Sequence, residues 1–115
     1  MLGVTQATKV YLFAAPTDMR KGFDGLSRLV RAQGLDIFSG HFFVFISRRG
    51  DRIKILTWDR GGWILWYKRL ERGTFKRIRG VGELLQIDTG ALGLLLEGLD
   101  PQLARPKRWY PARPY

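Results

Sequence analysis

Between residues 40 and 73 the chain reads GHFFVFISRRGDRIKILTWDRGGWILWYKRLERG, three β-branched and aromatic runs cut by two short, charged, glycine-bearing breaks. Few folds accept that pattern. Valine, isoleucine, phenylalanine and tryptophan suit the pleated strand, and short glycine-containing breaks turn the chain back antiparallel to itself. The spacing predicts strands over 41–47, 52–58 and 63–70, with turns at 48–51 and 59–62. A third turn at 71–73 leads into a fourth strand over 74–79. Such a meander has an apolar side to hide, so the remaining chain is read for what covers it.

Upstream, KVYLFAA (9–15) has strand composition and stops at Pro16. Thr17 or Asp18 is placed to cap a helix within 19–34, where Met19, Phe23, Leu26 and Val30 fall on one stripe. Arg20, Asp24 and Arg28 form an i, i+4 ladder on its outer side. Gly22 and Gly25 each weaken it by about 1 kcal/mol relative to alanine, and Gly34 stops it. Downstream, ELLQID (83–88) predicts a short edge strand. Thr89 then caps a last helix, TGALGLLLEGL, in which Leu92, Leu95, Leu96 and Leu99 have helical spacing. The segment PQLARPKRWYPARPY holds four prolines and four basic residues with no acid, and reads as an extended or disordered basic tail. The expectation is one α+β domain over residues 1–100, with the tail over 101–115. Its sheet is largely antiparallel, of four to six strands, with two helices packed on it. A chain of 115 residues is long enough to bury such a core.

Because strand side chains alternate, the turn lengths fix which residues share a face. One face collects Phe42, Val44, Ile46, Ile53, Ile55, Ile64, Trp66 and Ile78, and packs most simply on the 19–34 helix. The other collects His41, Phe43, Phe45, Arg52, Lys54, Trp58, Trp63, Tyr67, Arg69, Phe75, Arg77 and Arg79, so that rings and cations interleave.

Twenty Lys and Arg against ten Asp and Glu give a formal charge of +10 and a pI near 10.7. That balance favours polyanionic partners, or else marks a domain whose arginines simply coat its surface. On the interleaved face, cations would neutralise phosphates while rings stack on bases. The candidate phosphate contacts are Arg48 and Arg49 at a hairpin tip with Arg52, Lys54, Arg69, Arg77 and Arg79 on the strands. Trp58, Trp63 and Tyr67 are the candidate ring contacts. The competing reading is that the 89–99 helix covers this face, making its rings ordinary core and its cations a rim. The tip is otherwise a solvated turn. The tail, with Trp109, Tyr110 and Tyr115, is an interaction arm or a solvated terminus.

Catalytic and metal chemistry find little support. The chain has no cysteine, which excludes disulfides, thiolate zinc sites and cysteine nucleophiles. Its one histidine, His41, stands beside two phenylalanines, and Asp18, Asp51, Asp59 and Asp88 fall at turns and caps. No H-E-x-x-H or phosphate-binding loop occurs. No metal and no cofactor are expected. No run approaches the ~20 apolar residues of a membrane span, and the first residues lack the order of a signal peptide. A cytoplasmic protein that is not an enzyme and has no membrane partner is the expectation.

Four blocks, PTDMRKGFDGL (16–26), FSGHFFVFISRRGDRIKILTWD (38–59), WYKRLERGTF (66–75) and LLLEGLD (94–100), carry a more specific signal. In this order, over about residues 9–100, they resemble the TnpB accessory proteins of the sixty-six family of bacterial insertion sequences. Those proteins share only a name with the RNA-guided nucleases also called TnpB. The resemblance implies a protein encoded beside a separate, larger transposase and needed for efficient transposition, not characterised as catalytic and without established functional residues. The chain departs from the family at Thr89-Gly90, where Thr-Pro is usual, and in the tail, which lies outside the shared blocks. The resulting expectation is a non-catalytic accessory factor for transposition that binds DNA at the element ends through the basic-aromatic face. The alternative is an adaptor that docks on, and stabilises, the transposase of the same element. A nuclease would need converging carboxylates, which nothing local supplies.

Overall fold

The computed structural model describes residues 8–77 and 82–101, and within them the meander forms one side of a larger sheet. The elements are β1 (Val10–Phe13), α1 (Phe23–Ala32), β2 (Phe42–Ile46), β3 (Arg52–Asp59), β4 (Gly62–Arg69), β5 (Leu84–Ile87) and α2 (Thr89–Leu96). They make one α+β domain whose five strands lie in the order β4-β3-β2-β1-β5. β1 runs parallel to β2, and α1 supplies the crossover that parallel neighbours need. All other pairs are antiparallel.

The register follows the turn chemistry. Val44 faces Ile55, Ile46 faces Ile53, Ile55 faces Trp66 and Trp58 faces Trp63. β3 and β4 are joined by Arg60 and Gly61 alone, at φ 43° and 87°, the positive values that a two-residue turn needs to match strand twist. The faces read from the alternation are therefore those of the sheet, but their covers are exchanged. Phe42, Val44, Ile46, Ile53 and Ile55 pack with Val10, Leu12, Leu85 and Ile87 under Ala91, Leu92 and Leu95 of α2. Phe43, Phe45 and Leu56 pack with Tyr11 and Phe13 under Leu26 and Val30 of α1. Each fully buried leucine or valine in these layers contributes about 1.5–3 kcal/mol. β1 and β2, covered on both sides, are buried at every position.

Several boundaries differ from the expectation. α1 begins at Phe23 with no side-chain cap on Gly22, because the chain before it is held by other bonds. The Lys54 ammonium donates to the Met19 and Lys21 carbonyls at 2.7 and 2.8 Å, and Asp18 accepts from the Arg20 amide and guanidinium. Phe23 is 45% exposed rather than part of the buried stripe. Asp88, not Thr89, caps α2, accepting from the Ala91 amide at 2.7 Å. At the other end Lys68 donates to the Leu96 carbonyl at 2.6 Å, a cation where the helix dipole is negative.

The expected fourth meander strand is absent over 74–77. This segment runs along the β2–β3 hairpin, where the Phe75 amide donates to the Gly50 carbonyl at 2.7 Å. Phe75 consequently joins the α2-side core instead of the basic-aromatic face. Ile78, Arg79 and the tail from 102 onward lie outside the described residues.

Candidate nucleic-acid interface

The hairpin 47–52 stands between two open grooves. The larger, of about 700 Å³, has the 16–21 loop as its far wall and is lined by Arg20, Lys21, Arg48, Arg49 and Arg52 against Asp18 and Asp51. The smaller, of about 440 Å³, is lined by Arg49, Lys76 and Arg77 against Asp100. Seven basic residues thus meet three carboxylates at one end of the molecule, with Arg49 lining both grooves.

The hairpin is held by its own short side chains. Ser47 Oγ accepts from the Arg52 amide at 3.1 Å and donates to Asp51 at 3.3 Å. Gly50 takes φ 82° at the bend, and its amide donates to the Ser47 carbonyl at 3.0 Å. The Arg77 guanidinium donates to that same carbonyl; burial, then the Arg48 charge, lower its pKa from the usual guanidinium value. Asp18 is held down to about 2, first by the side-chain hydrogen bond from Arg20 and next by the Arg20 amide. Arg48 and Arg49 are exposed and make no ion pair or side-chain hydrogen bond with another described residue. They are the cations most available to an incoming anion.

The candidate residues do not form a single surface. Arg48, Arg49, Arg52 and Arg77 gather at the basic end. Arg69 lies across from Arg52 on the next strand, 3.2 Å from Glu71. Tyr67 is half exposed; its hydroxyl accepts from Arg52 at 3.1 Å. Lys54 is only 6% exposed, with its ammonium bonded to two carbonyls and 4.7 Å from the Tyr67 ring centroid. It is a strut between loop and sheet and has no donor face to offer a phosphate. Arg79 lies outside the described residues.

Trp58 and Trp63 sit at the far end of the β3–β4 ribbon, about 20 Å from the Arg52–Arg69 pair at strand rise. There they pack on each other with centroids 5.0 Å apart, and on Phe38 at 5.0 and 5.8 Å. Between the two ends α1 covers the sheet. Sequence reasoning missed Arg20, Lys21 and Lys76. The first two form a basic doublet between Pro16 and Gly22, a signal hidden by assigning the segment to a helix.

Among the described residues no group of three His, Cys, Asp or Glu side chains is placed to hold a metal. His41 Nδ1 accepts from the Lys9 amide at 3.0 Å, and burial lowers its pKa. No helix among the described residues is long and apolar enough to cross a membrane.

The family model described as IS66 Orf2 like protein matches residues 8–106. Uncharacterized protein y4jC of Sinorhizobium fredii is 35% identical over 101 residues, covering 87% of this chain and 86% of its own. Uncharacterized protein y4hO of the same organism is 36% identical over 101 residues, covering 87% and 88%. No solved structure matches the chain.

Proposed function

The chain belongs to the IS66 Orf2-like family, whose role is that of an insertion-sequence accessory protein, and from that premise we propose that it serves transposition by binding DNA, without catalysis, through the basic end around hairpin 47–52. The observation that carries this reading is the concentration of seven basic residues on two adjoining grooves, with Arg48 and Arg49 at the ridge between them. A cationic ridge flanked by open channels suits a phosphate backbone, since each neutralised phosphate releases condensed counterions. The carboxylates in the larger groove are committed to Arg20 and Ser47 rather than converging on a point where a metal would sit. On this reading the protein acts in the bacterial cytoplasm, at the ends of its element and beside the transposase.

Fluorescence anisotropy on element-end and random duplexes over a range of salt is the direct test. Binding should weaken with salt, and the double change Arg48→Ala with Arg49→Ala should flatten the log–log slope by about 2. Binding that is weak at low salt, or insensitive to salt, defeats the proposal.

A second reading, an adaptor docked on the transposase, is favoured by the ring cluster of Phe38, Trp58 and Trp63, in which Phe38 is 54% exposed. Aromatic anchors of this kind dominate protein interfaces. Nuclease-resistant co-purification with the transposase, lost in Phe38→Ala, would favour it.

A further inference from the structure

β4 is an edge of the sheet: it pairs with β3 on one side, and no described strand pairs with the other. Proteins usually blunt a long edge with proline, a bulge, charge or short length. β4 runs for eight residues without proline, and its charges lie only at its end, in Lys68 and Arg69. At its middle Trp66 is 41% exposed and Tyr67 51%.

The pairing with β3 fixes which backbone groups face outward. The Leu70 amide donates to the Asp51 carbonyl at 2.8 Å, and peptide direction alternates along an antiparallel strand. Even-numbered residues of β4 therefore bond to β3, while Trp63, Leu65, Tyr67 and Arg69 send N–H and C=O outward. On the α2 side of the strand lie Ile64, Trp66 and Lys68; on the α1 side lie the outward-bonding residues themselves.

We propose that the occupant of this edge is a second copy of the chain, with β4 meeting β4 antiparallel about a twofold axis at Trp66. In that register Trp63 pairs with Arg69 of the second copy and Leu65 with Tyr67, so every outward-facing backbone group finds a partner. The side chains agree with the backbone. β4 is aromatic and aliphatic in its first half and basic at its end, and antiparallel pairing lays each half on its opposite. Arg69 meets the Trp63 ring as a cation over an aromatic face, and the Lys68 stem covers Ile64. The two Trp66 side chains meet on the axis. Parallel pairing would instead set Lys68 and Arg69 of both copies side by side, which is destabilising. The interface is self-complementary, as a twofold contact must be. It is independent of DNA binding and is tested without nucleic acid.

Sedimentation equilibrium of the full chain should show a concentration-dependent dimer. Tyr67→Pro removes an outward N–H at a position where edge strands tolerate proline and should give a monomer with an unchanged far-UV spectrum. Tyr67→Ala, which loses the same side-chain contacts to Arg52 and Lys54 but keeps the N–H, should still dimerise. A trapping experiment covers the case in which the proline variant fails to fold. The described chain has no cysteine, and directly opposed residues in a non-hydrogen-bonded pair lie about 4.5 Å apart at Cα, within disulfide reach. Trp66→Cys should therefore crosslink under mild oxidation, whereas Ile64→Cys, which faces Lys68, should not. A monomer at every concentration, a dimer unaffected by Tyr67→Pro, equal crosslinking at both positions, or association only with the transposase would each overturn the proposal.

Discussion

Lys54→Met keeps an unbranched side chain, one atom shorter, and removes its charge, which isolates what fastens the 17–21 loop to the sheet. The ammonium donates at 2.7 Å to Met19 and 2.8 Å to Lys21, and lies 4.7 Å from the centroid of Tyr67. At 6% exposure there is little competition from water. A hydrogen bond to a charged group contributes about 1.5–3 kcal/mol, and the ring contact adds on the order of 1 kcal/mol. Methionine recovers part of this by sparing the ammonium its desolvation cost, but it leaves two carbonyls short of a donor. A net loss of about 2–4 kcal/mol follows, a large share of the roughly 5–15 kcal/mol that holds a domain together. Urea unfolding followed by tryptophan fluorescence should show a lower midpoint at unchanged slope. On the proposed function, DNA binding measured where the variant is fully folded should keep the wild-type salt dependence, because the Lys54 ammonium is already bonded to two backbone carbonyls. A stability loss under about 1 kcal/mol, with a salt slope lowered by about 1, would refute the reasoning and return Lys54 to the interface.

Gly50→Ala places a Cβ 3.2 Å from the Thr74 Cβ in a residue at φ 82°; a loss of about 1–3 kcal/mol is expected, and an unchanged thermal midpoint would count against the hairpin geometry. Asp88→Ala removes the α2 cap and should cost about 1 kcal/mol, whereas Thr89→Ala should cost less; the reverse order in thermal melts would reassign the cap. His41 has its pKa lowered by burial, so the unfolded chain takes up its proton more readily than the folded one. Stability from this source is complete above the unfolded value of about 6.5 and is lost as pH falls through it toward the folded value. His41→Asn keeps an acceptor for the Lys9 amide without titrating, and should flatten the fall in urea midpoint between about pH 7.5 and about pH 5.5; an equal fall in both proteins assigns it to other groups.

The meander was legible because its information is local. Alternation in β2 and β3 and the glycines at 50 and 61 fix strand, turn and register within a few residues of one another, and β5 was readable as an edge for the same reason. Which helix covers which face is not local: two apolar helices fit either side, and the choice is made by the parallel β1–β2 crossover that commits α1 to the Phe43–Leu56 side. Lys54 misled because strand alternation groups it with Arg52, while its partners lie 33 and 35 residues away in an irregular loop. Phe75 misled because TFKRIR alternates like a strand; its amide bonds to Gly50 rather than to β4. Strand alternation grouped the basic and aromatic residues on one face, but the separation of that face into two ends, with α1 between them, is a tertiary feature that alternation does not carry.

The order of elements sets a timetable for synthesis. α1 is made after β1 and before β2 and β3, so the Phe43–Leu56 face can close as soon as β4 has left the ribosome. The Phe42–Ile55 face must wait for α2, which ends at Leu96. At roughly 5–20 residues per second that leaves a sheet of phenylalanine, valine and isoleucine bare for about 1–5 s. β1 waits over the same interval for its antiparallel neighbour, since Val10 pairs with Ile87. A ribosome that stalls between β4 and β5 would therefore display a half-lidded protein, with its stickiest surface outward and its edge strand β4 already formed.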